Sequence, residues 1–228
     1  VGSEMCIRDS DGAVLDPVNT TGAGLLVGRH MLAHLATQLA AAHIPANILC
    51  TIVSDTLATC EASSIMGDDE LGPWRVLLAE QYASLSRWRD AAQALQSITP
   101  HAARRIPQLS FAQLCVRVVE LWLHDLPSHV AEAEQAIKRA NSAILEERDN
   151  KALVHELWSY HARVLAIQHR FMEAAARYMD LPHADMYAAV YAIISPPSAQ
   201  RTSMLTRLVQ QASAWPFTQT LHLSLIHI

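Results

Sequence analysis

The 228-residue sequence has little glycine, little phenylalanine and little charge. It contains 7 glycines and 3 phenylalanines, and charged residues make up 17 %, against about 25 % in an average soluble domain. So few glycines argue against a fold of tight hairpins, which use glycine for left-handed backbone. Hydrophobic residues reach 51 %, and alanine and leucine, both strong helix formers, are prominent among them. The composition therefore favours an all-α protein.

The sequence also lacks an excess of positive charge. Lys and Arg number 17 against 22 Asp and Glu, so the formal net charge is −5. A mildly acidic protein has no long-range field that would concentrate nucleic acid or anionic lipid. The adjacent Arg104 and Arg105 are explained by a solvated loop. We therefore predict no nucleic acid and no membrane among the partners.

One apolar stretch, residues 23–44, could be mistaken for a membrane span. It contains Arg29, His30 and His34, and an arginine near the bilayer centre costs about 2.5–3.5 kcal/mol. We predict a buried amphipathic helix here instead.

The four cysteines form neither a C-x-x-C pair nor a dense disulfide framework. They are Cys6, Cys50, Cys60 and Cys115. This usage is typical of a reducing compartment. We interpret Cys50 and Cys60 as small core residues.

Catalytic and metal-binding motifs are also missing. The sequence has no H-E-x-x-H, no phosphate-binding glycine loop and no G-x-S-x-G elbow. His30 and His34 have the spacing of one helix face, but Met31 follows His30 where a general base would be expected. The segment "DSDG" at 9–12 lacks the later ligands of a calcium loop. The sequence predicts no catalytic residue, no cofactor and no metal, and an enzyme is the least favoured function.

Apolar residues recur at intervals of three and four along most of the chain, as in amphipathic helices. Prolines and short polar segments divide the pattern into about ten helices. The acidic residues 68–70 suit a helix start, and Ser128 and Ser198 are predicted N-caps.

Three segments form an internal repeat: "WRDAAQAL" from Trp88, "VAEAEQAI" from Val130 and "FMEAAARY" from Phe171. Each begins with an apolar residue, has an acid two positions later and an alanine next, and ends in an apolar or aromatic residue. The repeat period is 42 and then 41 residues, the size of a helix pair. Small alanines would let two helices approach closely, and Trp88 is predicted to be a buried wedge. Chance alignment of alanine-rich helices is the alternative. The pattern predicts a right-handed α-solenoid of tetratricopeptide-like helix pairs.

Two longer stretches carry a family resemblance: "WRVLLAEQYASLSRWRDAAQAL" from Trp74 and "YHARVLAIQHRFMEAAARYMDL" from Tyr160. They are similar to the helix pairs that precede the PCI domain in the COP9 signalosome subunit 4 family. Less specific similarity extends from Gly24 to Gln210, through "GLLVGRHMLAHLATQL", "AEAEQAIKRAN" and "AQRTSMLTRLVQ". Residues after Gln210 depart from the family pattern.

This resemblance implies a non-catalytic scaffold subunit of the cytoplasm and nucleus. Its partners would be other COP9 signalosome subunits, with cullin-RING ubiquitin ligase as the substrate of the complex, from which a different subunit removes the ubiquitin-like modifier NEDD8. No catalytic residue can be carried over. Candidate contact residues are Arg29, His30, Arg104 and Arg105. The alternatives are the paralogous PCI subunit of the 26S proteasome regulatory lid and a generic helical-repeat adaptor.

The resemblance also suggests domain limits. Residues 1–22 are expected to lie outside the domain, because "VGSEMCIRDS" at 1–10 resembles translated adapter sequence. Residues 23–213 are expected to form the helical-repeat domain, whose end is the N-terminal part of a PCI module lacking its winged helix. Residues 214–228 are expected to be a tail, and its last residues resemble adapter sequence too.

Overall fold

The structure, a computed structural model, describes residues 17–42, 44–63, 67, 70–106, 109–147 and 149–211. Every regular element in these ranges is an α-helix, and there are eleven. The prediction of an all-α fold is therefore confirmed. The chain divides into two compact units, Val1–Gln108 and Leu109–Ile228, called unit 1 and unit 2 below.

Unit 1 contains five helices: α1 (Pro17–Ala41), α2 (Ala46–Ser63), α3 (Gly72–Ser84), α4 (Trp88–Gln96) and α5 (Pro100–Ala103). Helix α3 packs against α1, α2 and α4. The core is made by the inward faces of α2 and α3, where Val53, Leu57, Leu71, Trp74 and Leu78 meet. Each buried side chain of this size contributes roughly 1.5–3 kcal/mol relative to an exposed one.

A buried arginine joins three parts of unit 1. Arg75 Nη2 lies 3.0 Å from Glu61 Oε1 on α2. Its Nη1 donates to the Ser97 carbonyl at the end of α4, over 3.2 Å. The paired carboxylate and the carbonyl offset the desolvation of the guanidinium.

Unit 2 contains six helices: α6 (Phe111–His124), α7 (Val130–Ile144), α8 (Lys151–Ile167), α9 (Phe171–Met179), α10 (Asp185–Ile194) and α11 (Ala199–Gln211). Each helix packs against the next, and α6 also contacts α8. Consecutive helices therefore form pairs that stack in sequence, as predicted for an α-solenoid.

The repeat segments begin α4, α7 and α9, the second helix of each pair. Their shared alanines, Ala91, Ala133 and Ala174, are fully buried. The apolar residues that end the segments are buried as well. The alanines thus lie where helices approach closely, as the pattern predicted. Trp88 is only half-buried, so the prediction of a fully buried wedge is wrong at this position.

The turns before α4 and α9 share a backbone conformation that the sequence pattern did not reveal. Ser86 and His169 have positive φ, 58° and 61°. The amide of Arg87 donates to the carbonyl of Tyr82 over 2.9 Å, and the turn before α9 has the equivalent bond. A left-handed residue with this six-to-one bond is a Schellman motif, which closes a helix C-terminus.

The predicted helix starts have mixed outcomes. The Ser198 hydroxyl accepts a bond from the Arg201 amide, so it caps α11 as predicted. Ser128 does not cap α7, because that helix begins one residue later than required and His129 holds the N-cap position. Glu70 does not act on the first turn of α3, which has no acidic residue, and its carboxylate contacts the Gly67 amide instead. Asp68 and Asp69 lie outside the described residues.

Residues 23–41 of the segment are helical, as predicted, but α1 begins earlier, at Pro17, and ends at Ala41. Leu32 and Leu39 pack against the core of unit 1, and Ala36 is buried. The other side of α1 is exposed, so the helix is less buried than predicted. The predicted domain, residues 23–213, takes in parts of both units, and its limits stay a prediction. Residues 1–10 and 214–228 lie outside the described residues.

Candidate protein-interaction surfaces

Helix α10 has an exposed apolar stripe in unit 2. Met186, Val190 and Ile194 lie at positions i, i+4 and i+8 and are 47 %, 49 % and 55 % exposed. The opposite face carries Ala188 and Ala192, which are fully buried. A helix apolar on both faces is typical of an element with neighbours on both sides. The outer face is therefore a candidate protein-interaction surface, which we call the α10 stripe.

A stack of aromatic rings fixes α10 against α9. The rings of Tyr178 and Tyr191 are nearly parallel with centroids 5.5 Å apart. Tyr178 also stacks on Tyr187 at 5.4 Å, and Tyr191 on Phe171 at 6.2 Å. Burial, with Tyr191 close by, raises the pKa of Tyr178 to about 12. The phenol thus stays protonated near neutral pH, and the stack has a packing role rather than an acid–base role.

The C-terminal end of α10 is held by an arginine from the next helix. Arg201 is almost fully buried. Its Nε donates to the Ala192 carbonyl over 3.1 Å, and its Nη2 lies 3.4 Å from the Ile193 carbonyl. A cation at a helix C-terminus satisfies carbonyls that have no partner within the helix and interacts favourably with the helix dipole. The α10 stripe therefore belongs to a helix whose position is fixed by contacts with both α9 and α11.

A second exposed stripe lies on α1, in unit 1. Val27, Met31 and Leu35 lie at positions i, i+4 and i+8, with exposed fractions of 59 %, 68 % and 44 %. Sequence reasoning assigned neither stripe. The spacing was readable in both helices, but periodicity alone does not tell which apolar side of a helix a neighbour covers.

The candidate contact residues from the sequence have separate surroundings. His30 is exposed on α1, and the side chain of Arg29 lies outside the described residues. Arg104 and Arg105 are exposed in the turn after α5. Arg105 Nη1 is 3.5 Å from Glu70 Oε1, so part of its charge is already paired. Among the described residues, no hydrogen bond or ion pair connects His30, Arg104 and Arg105 to one another.

The described residues contain no group of three or more His, Cys, Asp or Glu side chains that could hold a metal ion. Cys50, Cys60 and Cys115 are buried, which confirms the interpretation of Cys50 and Cys60 as core residues. Burial raises the pKa of the Cys115 thiol to about 11. Such a thiol is protonated at neutral pH and is a poor nucleophile.

One half-buried histidine of unit 2, His161, lies among charged groups. Burial lowers the pKa of His161, and the cations Arg177 and Arg170 lower it further. The carboxylates of Glu134 and Glu173 act in the opposite direction. Arg170 is already paired with Glu173. The group is an ion-pair network between helices of unit 2.

None of the helices in the described part of the chain is long and apolar enough to span a lipid bilayer.

No protein-family model matches the chain. Three curated proteins named COP9 signalosome complex subunit 4 are similar to it. The one from Caenorhabditis elegans is 28 % identical over 219 residues, which cover 88 % of this chain and 53 % of the relative. The one from Arabidopsis thaliana is 26 % identical over 165 residues, covering 72 % and 40 %. The one from Drosophila melanogaster is 24 % identical over 201 residues, covering 81 % and 47 %.

The chain spans about half the length of the curated relatives it matches. These similarities cover most of the chain, and the three relatives come from two animals and one plant. They confirm the resemblance to COP9 signalosome subunit 4 inferred from the residues.

Proposed function

We propose that this chain is a scaffold subunit of the COP9 signalosome that acts through protein–protein contacts rather than by catalysis. The observation that carries the proposal is the similarity to three subunit 4 proteins across most of the chain. The stacked helix pairs fit it, because helical repeats present extended surfaces to other proteins. The proposal includes residence in the cytoplasm and nucleus.

The partners in this proposal are the other signalosome subunits, and cullin-RING ubiquitin ligase is the substrate of the whole complex. Removal of NEDD8 from the cullin is assigned to a different subunit. Residues 23–213 are proposed to act as one helical-repeat domain.

The α10 stripe is the surface on which we expect another subunit of the complex to pack. An exposed apolar face on an anchored helix is typical of protein interaction sites. Glutamate in the middle of the stripe would place an unpaired charge in such a contact, which is costly when buried.

The test is a tagged pull-down of the protein from its own cells, with captured proteins quantified by mass spectrometry. We expect signalosome subunits and cullins with the natural chain, and much less of both with Val190→Glu. The control is Ala131→Glu, a similar change at an exposed position of α7, which should capture the natural set. Thermal melts of both variants check that the fold survives. Recovery of proteasome lid subunits would move the protein to the paralogous complex, and recovery of neither set would overturn the proposal.

A further inference from the structure

A cleft of about 690 Å³ lies between α9 and α11 in unit 2. Three half-buried methionines line it: Met172, Met179 and Met204. The small exposed side chains of Ala176 and Ser203 lie among them. Small residues leave room for a bulky apolar group, and methionine adapts its shape to what it contacts. The cleft is therefore suited to an apolar ligand surface.

Both walls of the cleft are regular helix faces. On α9, Met172, Ala176 and Met179 follow the i, i+4, i+7 spacing of one face, and on α11, Ser203 and Arg207 are four apart. Seven residues of α-helix span about 10 Å. The lined length thus corresponds to roughly two turns of a helix lying along the cleft.

Met172, near the start of α9, is in contact with a buried side chain at the end of α10. The buried Ser195 hydroxyl lies 2.9 Å from the sulfur of Met172. Because Ser195 ends α10, the anchored helix fixes this part of the wall. A preformed wall reduces the ordering cost of binding.

The two walls carry charges of opposite sign. Glu173 and Asp180 lie on the α9 side, and Arg207 lies on the α11 side. Asp180 and Arg207 are exposed and form no ion pair within the described part of the chain. A ligand with a cation along one flank and an anion along the other would complement both walls.

The shape disfavours two other classes of ligand. An added β-strand needs unpaired backbone groups along an edge, and both walls are helices with paired backbone. A small molecule is usually enclosed on most sides, whereas this cleft is only partly enclosed. An apolar base with charged rims is the surface that amphipathic helices occupy.

We propose that the α9–α11 cleft binds an amphipathic helix of a partner protein, with its apolar face on the three methionines, a basic flank toward Asp180 and an acidic flank toward Arg207. The inference goes beyond the proposed scaffold function, because it specifies the partner segment and does not depend on which complex contains it.

The experiment follows the methionine methyl groups by NMR in the full chain labelled with ¹³C-methyl methionine. All seven methionines of the chain are reporters. The probe is a synthetic amphipathic helical peptide of about three turns, with leucines on one face, lysines on one flank and glutamates on the other. We expect the signals of Met172, Met179 and Met204 to shift on titration, and those of Met31 and Met186 to stay in place.

Two variants give the test its controls. Ala176→Glu places a charge inside the cleft and should weaken peptide binding about tenfold or more, which is 1.4 kcal/mol or more. Ala152→Glu, at an exposed position of α8, should leave the affinity unchanged. Arg207→Glu alone makes both walls acidic and should weaken peptide binding, and adding Asp180→Lys should restore it, because the walls again carry charges of both signs. This rescue would distinguish charge-matched binding from non-specific binding to an apolar patch.

Three results would overturn the proposal. One is peptide-induced shifts at Met186 or Met31 without shifts in the cleft. Another is an affinity that Ala176→Glu does not change. The third is a concentration-dependent shift of the cleft methyls in the absence of peptide, which would assign the cleft to a second copy of the chain.

Discussion

Arg87 and Asp90 form an ion pair across the first turn of α4, with 2.7 Å between Arg87 Nη2 and Asp90 Oδ2. Arg170 and Glu173 form the matching pair at the start of α9. In both helices a basic residue at the N-cap position reaches an acid in the first turn. The acid of the repeat therefore has a local partner as well as a favourable place at the positive end of the helix dipole. The pairs are solvent-exposed, so each contributes little to stability.

The left-handed turn before α4 gives a first prediction. Ser86 has a φ of 58°, a conformation that costs a non-glycine residue roughly 1–2 kcal/mol. Glycine removes that cost. It also raises the conformational entropy of the unfolded chain, which lowers the free energy of unfolding by about 0.5–1 kcal/mol. Ser86→Gly should therefore stabilise the protein by up to about 1 kcal/mol in urea denaturation.

The same change inside a helix is the control for that prediction. Ser142 is exposed near the end of α7, and glycine there should destabilise by about 0.5 kcal/mol. His169→Gly, in the turn before α9, should gain less than Ser86→Gly, because it also loses the ring contact with Phe171 at 5.6 Å. Destabilisation by Ser86→Gly would contradict the left-handed turn.

A second prediction separates two tryptophans of unit 1. Trp74 is 1 % exposed, and its replacement by alanine should cost about 3–5 kcal/mol through the cavity it leaves. Trp88 is half-buried, so Trp88→Ala should cost clearly less. Thermal and urea unfolding of the two variants would measure the difference, and equal losses would contradict the difference in burial between Trp74 and Trp88.

The indole nitrogen of Trp74 refines this test. It is buried and has no hydrogen-bond partner among the described residues. Trp74→Phe removes an unsatisfied donor together with part of the ring, and the two effects partly offset each other. We expect this variant to retain most of the stability that Trp74→Ala loses.

The third prediction concerns Arg201 of α11, which contacts the C-terminal end of α10. Arg201→Met keeps the length of the side chain but leaves the carbonyls of Ala192 and Ile193 without its donors. The Ser195 hydroxyl still donates to the Ala192 carbonyl, so the loss falls on the part-buried Ile193 carbonyl and on the favourable cation at the helix end, and we expect a cost of about 1–2 kcal/mol. Arg207→Met, at an exposed position of the same helix, should change stability by less than about 0.5 kcal/mol. Similar unfolding midpoints for the two variants would show that Arg201 does not anchor α10.

The fourth prediction is a pH dependence from His161. Its pKa in the folded protein is lowered by burial and then by Arg177 and Arg170, and in the unfolded chain it returns to about 6.5. Below about pH 6.5 the unfolded chain therefore binds a proton that the folded chain does not, so the free energy of unfolding falls as the pH drops. Above about pH 6.5 both states are neutral and the effect is absent.

Urea denaturation at pH 7.5 and 5.5 would measure this loss. His161→Gln should lose less stability between the two pH values than the natural chain. His101→Gln, at an exposed position, should behave like the natural chain. Hydrogen bonding to Arg170 lowers the pKa of Glu173, which moves the titration of that carboxylate away from this window. Equal losses in the natural chain and His161→Gln would rule out a contribution from the imidazole.

The sequence by itself determined the fold class, the helix-pair repeat and the family resemblance. Apolar spacing of three and four shows amphipathic helices because side chains on one face recur at that interval. The buried alanines Ala91, Ala133 and Ala174 could be recognised because close helix packing demands small residues at fixed positions. The Ser198 cap was also readable, because capping is a local interaction between a hydroxyl and a nearby amide.

Only the tertiary structure decided which apolar faces are covered. Trp74 and Trp88 both lie on apolar stripes, yet one is buried and the other half-exposed, since burial depends on neighbours distant in sequence. The α10 stripe and the α9–α11 cleft could not be predicted for the same reason. The left-handed turn at Ser86 also escaped the sequence pattern, because serine there lacks the glycine signal that marks most such turns. The repeat is visible in the spacing of residues along the chain, whereas a binding surface forms only when the helices pack against one another.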